Sequence, residues 1–336
     1  MKNIVISDEY REVEFKPSAV LAQYIRLTEK DVKRMFIKKN LLKTACPGCR
    51  KKQVKESFVK MEMRYNECAG CGTLYVSPRP DEAMIYRYYT ESLARSFWND
   101  KLSVLTDKKR KEKIIMPRIS WIIESTQEFL PNARTVADIN TTQHGYSEEL
   151  KKSANFSESY RVNPFLKLME GDVDSFGRLV VSKDWDNALK NKIDVVILFE
   201  ALDRAADADL LFKRIKKATA AKALCFITGT LISGFDLQVL WKDAPNLYPP
   251  DRLNIFSPQG LKALFKRHGF ECIEFSTPGV LDVEIVAKAV EHNPGAYCRF
   301  AEYLVKSGDR PLRQAFQNFL QKEQLSSFGR ILIQKK

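Results

Sequence analysis

Val195-Val196-Ile197-Leu198-Phe199 is a run of apolar residues with no polar position inside it. A strand with one wet face alternates between apolar and polar. A run that does not alternate is buried on both faces, as in the middle of a parallel sheet. Around it, short apolar runs alternate with helical stretches. The runs are Thr135–Ile139, Ser159–Val162, Leu179–Val181, Ile193–Phe199, Ala223–Thr228 and Glu271–Ser276; the helical stretches fall near 146–153, 207–218 and 258–269. From Pro131 onward this rhythm predicts an α/β domain whose parallel sheet is covered on both faces. Residues 291–328 then read as helical, with Tyr297, Phe300, Tyr303 and Leu304 at helical spacing, and Gly329–Gln334 as a closing strand.

Upstream the pattern differs. Residues 1–40 form an N-terminal segment with a helix expected over Thr28–Asn40, capped by Thr28 and carrying Val32, Met35 and Phe36 as its apolar stripe. Residues 41–80 hold paired cysteines and end in Ser77-Pro78-Arg79-Pro80, where proline interrupts helices and ladders alike. Residues 81–130 read as a helical linker containing the basic run Lys108–Lys113 and the packed side chains Ile114, Ile115, Ile119, Trp121 and Ile122.

The chain has 336 residues, of which 44% are hydrophobic and 29% charged, a balance that excludes disorder over its whole length. With 14 Gly and 14 Pro it is not collagen-like. No apolar run approaches the roughly 18 to 20 residues of a membrane helix. The opening residues meet acid too early for a secretory signal, so a soluble cytoplasmic protein is expected. The net charge of +13 favours polyanionic partners without choosing among them.

Of 7 cysteines, four form the pairs Cys46-Pro47-Gly48-Cys49 and Cys68-Ala69-Gly70-Cys71, separated by 18 residues. Two such turns converge four thiolates on one ion, and zinc takes four in a tetrahedron. Gly48, Gly70 and Gly72 free backbone amides to face the sulfurs. Phe58–Met63 reads as a strand that Leu74-Tyr75-Val76 pairs with, which is the layout of a zinc ribbon. Four cysteine ligands close the shell, so the metal is expected to be structural. The ribbon's lysines and arginines read as a solvated face, with a nucleic-acid surface as the alternative.

Asn66–Pro80, followed by Tyr86-Arg87-Tyr88-Tyr89, resembles the ribbon that precedes certain class I S-adenosylmethionine-dependent methyltransferases. Phe199–Asp203, Gly234-Phe235-Asp236, Tyr248–Ser257, Gly269-Phe270 and Ser276–Asp282 are similar to later signatures of that family. The resemblance implies a Rossmann-like methyltransferase sheet of seven strands over 131–336. Its last strand is antiparallel and falls at 329–334, and 280–328 form a helical insertion. It also implies S-adenosylmethionine as cofactor. Such proteins often occur in bacterial sugar and surface-polysaccharide pathways.

The same resemblance marks departures. In the family the first strand ends in an acid, followed by a loop with alternate glycines against which the cofactor's amino-acid part lies. Asp138 stands at the acid, but Asn140, Thr142 and His144 stand at the glycines. Asn163 stands where an acid holds the ribose hydroxyls, and an amide lacks the carboxylate's charge-assisted strength. Arg204 and Arg252 replace two histidines. A guanidinium is no general base near neutral pH, yet it clamps carboxylate or phosphate. The cofactor-binding candidates are Asp138, Asn140, Thr142, Asn163 and Glu200; the metal ligands are Cys46, Cys49, Cys68 and Cys71; no catalytic residue is named.

Three functions stay open. The first is a catalytically degenerate methyltransferase-like pseudoenzyme acting as a binding or scaffolding subunit with a protein partner. The second is an active methyltransferase on a sugar nucleotide or phosphorylated glycan, which the basic charge and Arg252 suit. The third is a nucleic-acid-binding protein that uses the ribbon and Lys108–Lys113.

Overall fold

The structure is a computed structural model and describes residue 14 and residues 17–139, 146–153, 155–162, 178–180 and 185–336. In chain order the strands are β1 (Val54–Lys60), β2 (Met63–Cys68), β3 (Leu74–Val76), β4 (Thr135–Ile139), β5 (Glu158–Val162) and β6 (Arg178–Val180). They continue as β7 (Ile193–Phe199), β8 (Thr219–Thr230), β9 (Asn254–Ile255), β10 (Phe270–Ser276) and β11 (Phe328–Lys335).

Seven of them form the main sheet in the order β10-β11-β8-β7-β4-β5-β6. The pairs β4–β5, β4–β7, β5–β6 and β7–β8 are parallel, while β11 runs antiparallel to both β8 and β10. The sheet therefore has the strand number and the reversed last strand that the sequence implied. Val195, Val196, Ile197 and Leu198 are fully buried. Their alternate side chains enter two different cores, one on each face of the sheet, which is why β7 carries no polar alternation. Each such side chain contributes about 1.5–3 kcal/mol by leaving water.

The ribbon differs from expectation in one strand. Phe58–Met63 is not a single strand: β1 and β2 form a hairpin that turns at Met61 and Glu62, both at positive φ (47° and 62°). This is a two-residue turn of the kind that Asn-Gly usually announces, and neither residue type is present. Leu74–Val76 consequently pairs with β2, not β1. Its other edge pairs with β9, Leu74 opposite Ile255 and Tyr75 opposite Asn254. The ribbon sheet is thus completed by the Tyr248–Ser257 segment of the main body.

The N-terminal helix is also longer than expected, Ser18–Met35. Thr28 does not cap it; it is a buried mid-helix residue that accepts a hydrogen bond from Tyr88 Oη at 3.4 Å. Tyr24, Thr28, Asp31 and Val32 form its buried stripe. That stripe packs with Met63, Tyr65 and Leu74 of the ribbon and Ile285 and Val286 of the insertion, in a third core. From Glu82 to Phe129 the chain is helical with wide π turns at Trp98–Ser103 and Lys111–Ile115. The insertion holds helices Asp282–His292, Arg299–Ser307 and Arg310–Lys322. No described helix is long and apolar enough to cross a membrane.

Candidate functional site

A cavity of about 300 Å³ opens at the carboxyl ends of β7 and β8. Glu200 leaves β7 there, Thr228 and Thr230 end β8, and Phe328 and Arg330 begin the reversed β11. The facing wall comes from the helical stretch before β4, with Trp98, Arg110, Arg118 and Trp121. Tyr248, Asp251 and Arg252 and the 278–282 turn close it. Six arginines and Lys113 line the cavity against three carboxylates, Glu200, Asp251 and Asp282.

Glu200 is the hub. It has a left-handed backbone (φ 57°), a conformation that a non-glycine residue holds only where its surroundings impose it. Its N–H donates to Thr228 O at 2.7 Å. Its carboxylate faces Arg252 at 3.7 Å, Arg118 at 3.8 Å and Arg204 at 4.0 Å. Burial pushes this carboxyl up, but Arg252, Arg118, Arg204 and Arg110 together outweigh burial and hold it down at about 2. An acid that weakly basic is no general base at neutral pH.

These ion pairs are longer than the roughly 2.7–2.9 Å of a charge-assisted hydrogen bond. Donors therefore remain unspent: the buried Nε atoms of Arg204 and Arg330 have no hydrogen-bond partner, nor does the Thr228 hydroxyl, while Arg252 Nε faces the Asp203 carboxylate at 3.5 Å. Two of the guanidiniums pack on aromatic rings. Arg118 lies 5.0 Å from the Phe199 ring and 5.2 Å from the Phe328 ring and donates to Tyr146 Oη at 2.9 Å. Arg330 lies 4.2 Å from the Trp121 ring, and Trp121 Nε1 donates to Glu274 at 2.9 Å. Asp251 is satisfied separately, by the hydroxyls of Tyr24 and Tyr89.

The four predicted metal ligands converge. The sulfurs of Cys46, Cys49, Cys68 and Cys71 lie within 4.8 Å of one another, with Cys46–Cys71 at 3.6 Å and Cys49–Cys68 at 3.4 Å. A tetrahedron with ~2.3 Å metal–sulfur bonds has edges of about 3.8 Å. All four cysteines are free rather than disulfide-bonded. Crowding splits their acidity: the Cys46–Cys71 hydrogen bond pushes Cys46 up and holds Cys71 down to about 4. A dication resolves the conflict by accepting all four as thiolates.

Strand order decides the fold. The sheet reverses between β4 and β7, the cavity lies at the carboxyl ends beside that switch point, and the reversed β11 is inserted between β8 and β10. The chain has the class I methyltransferase fold. No protein-family model matches the sequence, and no curated protein matches it. Among solved structures it is similar to a SAM-dependent methyltransferase from Archaeoglobus fulgidus, with 15% identity over 65% of this chain and 94% of that one at a TM-score of 0.40. It is similar to the 1,6-didemethyltoxoflavin-N1-methyltransferase of Burkholderia thailandensis, with 11% identity over 84% and 99% at a TM-score of 0.45. An O-methyltransferase of a trans-AT PKS multienzyme from Brevibacillus brevis shares 11% identity over 73% and 80% at a TM-score of 0.43.

Within the methyltransferase fold, Asp138 is buried at the end of β4, opposite Ile197 of β7. Asn140, Thr142, His144 and Asn163 lie outside the described residues. Glu200, read from sequence as a cofactor contact, sits in the cationic cavity. The two arginines at histidine places, Arg204 and Arg252, meet on it. Arg118 is not marked by the sequence, and Arg110 is marked only as part of the basic run Lys108–Lys113, yet the helix turns Arg110 into the cavity while Lys108 and Lys109 stay exposed. Much of the ribbon's positive charge is spent internally. Lys60 donates to Ala244 O at 2.6 Å, Arg50 pairs with Asp209 at 3.0 Å, and Lys55 with Glu67 at 3.2 Å.

Beside the cavity, Asp236 is fully buried and faces the carboxyl of Asp282. Burial first, then the charge of Asp282, push it up to about 8. The folded chain thus keeps a proton there that the unfolded chain releases above the ordinary value of 3.8. Stability is expected to be fullest below that value and to fall as pH rises through about 8. Melting temperature measured against pH checks this: Asp236→Asn should flatten the decline between those limits, whereas an unchanged slope contradicts it.

Proposed function

We propose that this methyltransferase-fold chain is a binding protein for a phosphate-bearing small molecule, a sugar nucleotide or phosphorylated glycan, with a structural zinc in its four-cysteine ribbon. The observation that carries the reading is the guanidinium set around Glu200, with buried donors left unspent. A buried donor without a partner costs about 1–3 kcal/mol, which a bound oxyanion returns. Phosphate fits guanidinium forks better than any neutral group does. The Phe199 and Phe328 rings pack against Arg118 and the Trp121 ring against Arg330, which restricts those two side chains, and Trp98 and Tyr248 supply apolar surface for the rest of a ligand. The four sulfurs match zinc in type, number and spacing.

Turnover is not part of this reading. Arginines occupy the places where the family resemblance sets histidines, and Glu200 is too weak a base to take a proton. A second reading, active methyl transfer to the same ligand, is favoured by one observation: Asp138 is buried at the end of β4, where the family's acid stands. Calorimetric titration of S-adenosylmethionine separates the two. The binding reading expects no methyl transfer to UDP-glucose under any donor concentration. Micromolar donor binding that is lost in Asp138→Ala, together with transfer, would replace it with the second.

A further inference from the structure

We infer that the cysteine ribbon is a positioning element of the ligand pocket: its metal-held strands fix the 251–255 segment and so aim Arg252 and Arg204. The ligand half of this inference rests on the phosphate-binding reading; the structural half does not.

The connection can be followed atom by atom. Tyr65 in β2 donates from Oη to Arg252 O at 2.6 Å. In β3 the Val76 N–H donates to Leu253 O at 2.9 Å, and Leu74 and Tyr75 pair with β9. From β9, Asn254 Nδ2 donates to Leu202 O and Ala205 O, both at 2.8 Å, and Leu253 N donates to Asp203 O at 2.8 Å. Those acceptors bracket the turn that presents Arg204. Arg79, at the ribbon's exit and 2% exposed, donates to Val76 O at 2.8 Å and to Ala206 O at 3.1 Å. The ribbon, β9 and the Arg204 turn are therefore one hydrogen-bonded unit.

The cysteine knuckles are anchored to the same body. Ser257 caps helix Pro258–His268 by accepting from Gly260 N at 2.9 Å, and its hydroxyl donates to Cys71 O. Arg267 donates to Gly48 O at 2.7 Å and Pro47 O at 3.0 Å. A Cβ on Gly260 would stand 2.1 Å from Thr73 Oγ1, and one on Gly48 would stand 2.8 Å from Gly260 Cα. Two facing glycines make so close a seam passable. The ribbon hairpin edge is otherwise wet, for β1 is exposed over most of its length. Without metal the knuckles lose their shape, and the acceptors on Arg252 and Leu253 lose their donors. Tyr65 is a positioning residue: it touches the Arg252 carbonyl and not the cavity.

Hydrogen exchange and calorimetry on the full metal-loaded chain, before and after chelation, test this. Chelation is expected to raise amide exchange at least tenfold over 46–76 and 251–257 together, leaving β7 and β8 protected. It is expected to weaken pyrophosphate binding at least tenfold. Tyr65→Phe, with its metal retained and its melting temperature near wild type, is expected to weaken pyrophosphate several-fold. Protection that persists over 251–257 after the ribbon opens would overturn the inference. So would loss of protection in β7 and β8, which would make the metal a support of the whole fold, and so would wild-type pyrophosphate affinity in Tyr65→Phe. If the loaded chain binds no pyrophosphate but exchange rises in concert, the phosphate reading fails and the ribbon's hold on the segment stands.

Discussion

Cys68→Ser is expected to leave the chain without stoichiometric zinc and with an unfolded ribbon. Beyond the hydrogen bonds from Arg267 and Ser257, the knuckles have little to hold them. Their own core consists of Cys46, Cys68, Cys71 and Tyr75 with Cys49 packed against it, and β1 presents mostly exposed residues. So small a core does not offset the conformational entropy of ordering the knuckle loops. In small zinc modules the metal supplies about 10–16 kcal/mol of apparent binding energy, which acts as folding energy. Cys68 is 1% exposed and ends β2, so a hydroxyl there loses the metal and leaves a buried polar group as well. Metal analysis should find one zinc per wild-type chain and far less in the variant. Thermal melting should show an earlier, less cooperative transition. One zinc per variant chain with a wild-type melt would contradict a metal-held ribbon.

Arg252→Lys is expected to keep the fold and lose at least tenfold in affinity for phosphate-bearing ligands. Arg252 reaches Glu200 at 3.7 Å and Asp203 at 3.5 Å from two different nitrogens, and its Nη1 donates to the Asp251 carbonyl at 3.1 Å. Lysine keeps the charge but not the planar fork, so it serves one of these groups at a time. Asp203 is 1% exposed, and burial holds it up at about 6 although Arg252 draws it down. With the guanidinium gone it should rise further. Arg252→Ala would leave both carboxylates facing fewer cations, and breaking such a buried pair costs about 3–5 kcal/mol. Lysine is therefore the informative variant, and alanine reports on stability. Equal pyrophosphate affinity in Arg252→Lys and wild type would remove Arg252 from the site.

Those features of the fold that depend on local pattern were legible in the sequence. β7 announced itself because burial on both faces forbids polar alternation. The cysteine cluster did so because two short turns can place four sulfurs on one ion. The reversed last strand followed from the family resemblance and from the apolar run at 331–333. What was not legible depends on contacts distant in the chain. β9 is two residues long, too short for any period, yet it joins the ribbon to the pocket. The Met61-Glu62 turn lacks glycine and asparagine. Thr28 reads as a cap because threonine is a capping residue type ahead of the Val32, Met35 and Phe36 stripe, but burial against Tyr88 puts it inside a helix. Arg118 and Glu200 meet only once the sheet is assembled, so the cations around Glu200 were not legible in the sequence. For Asn140, Thr142 and Asn163 the sequence expectation stands alone.

The most direct test of a phosphate-binding pocket is calorimetric titration of UDP-glucose into the metal-loaded chain, with glucose as control, at low and raised salt. The predicted result is saturable binding of UDP-glucose that weakens as salt screens the arginines, with no heat from glucose. The contradicting result is no binding of UDP-glucose at low salt, or binding that glucose reproduces and salt does not change.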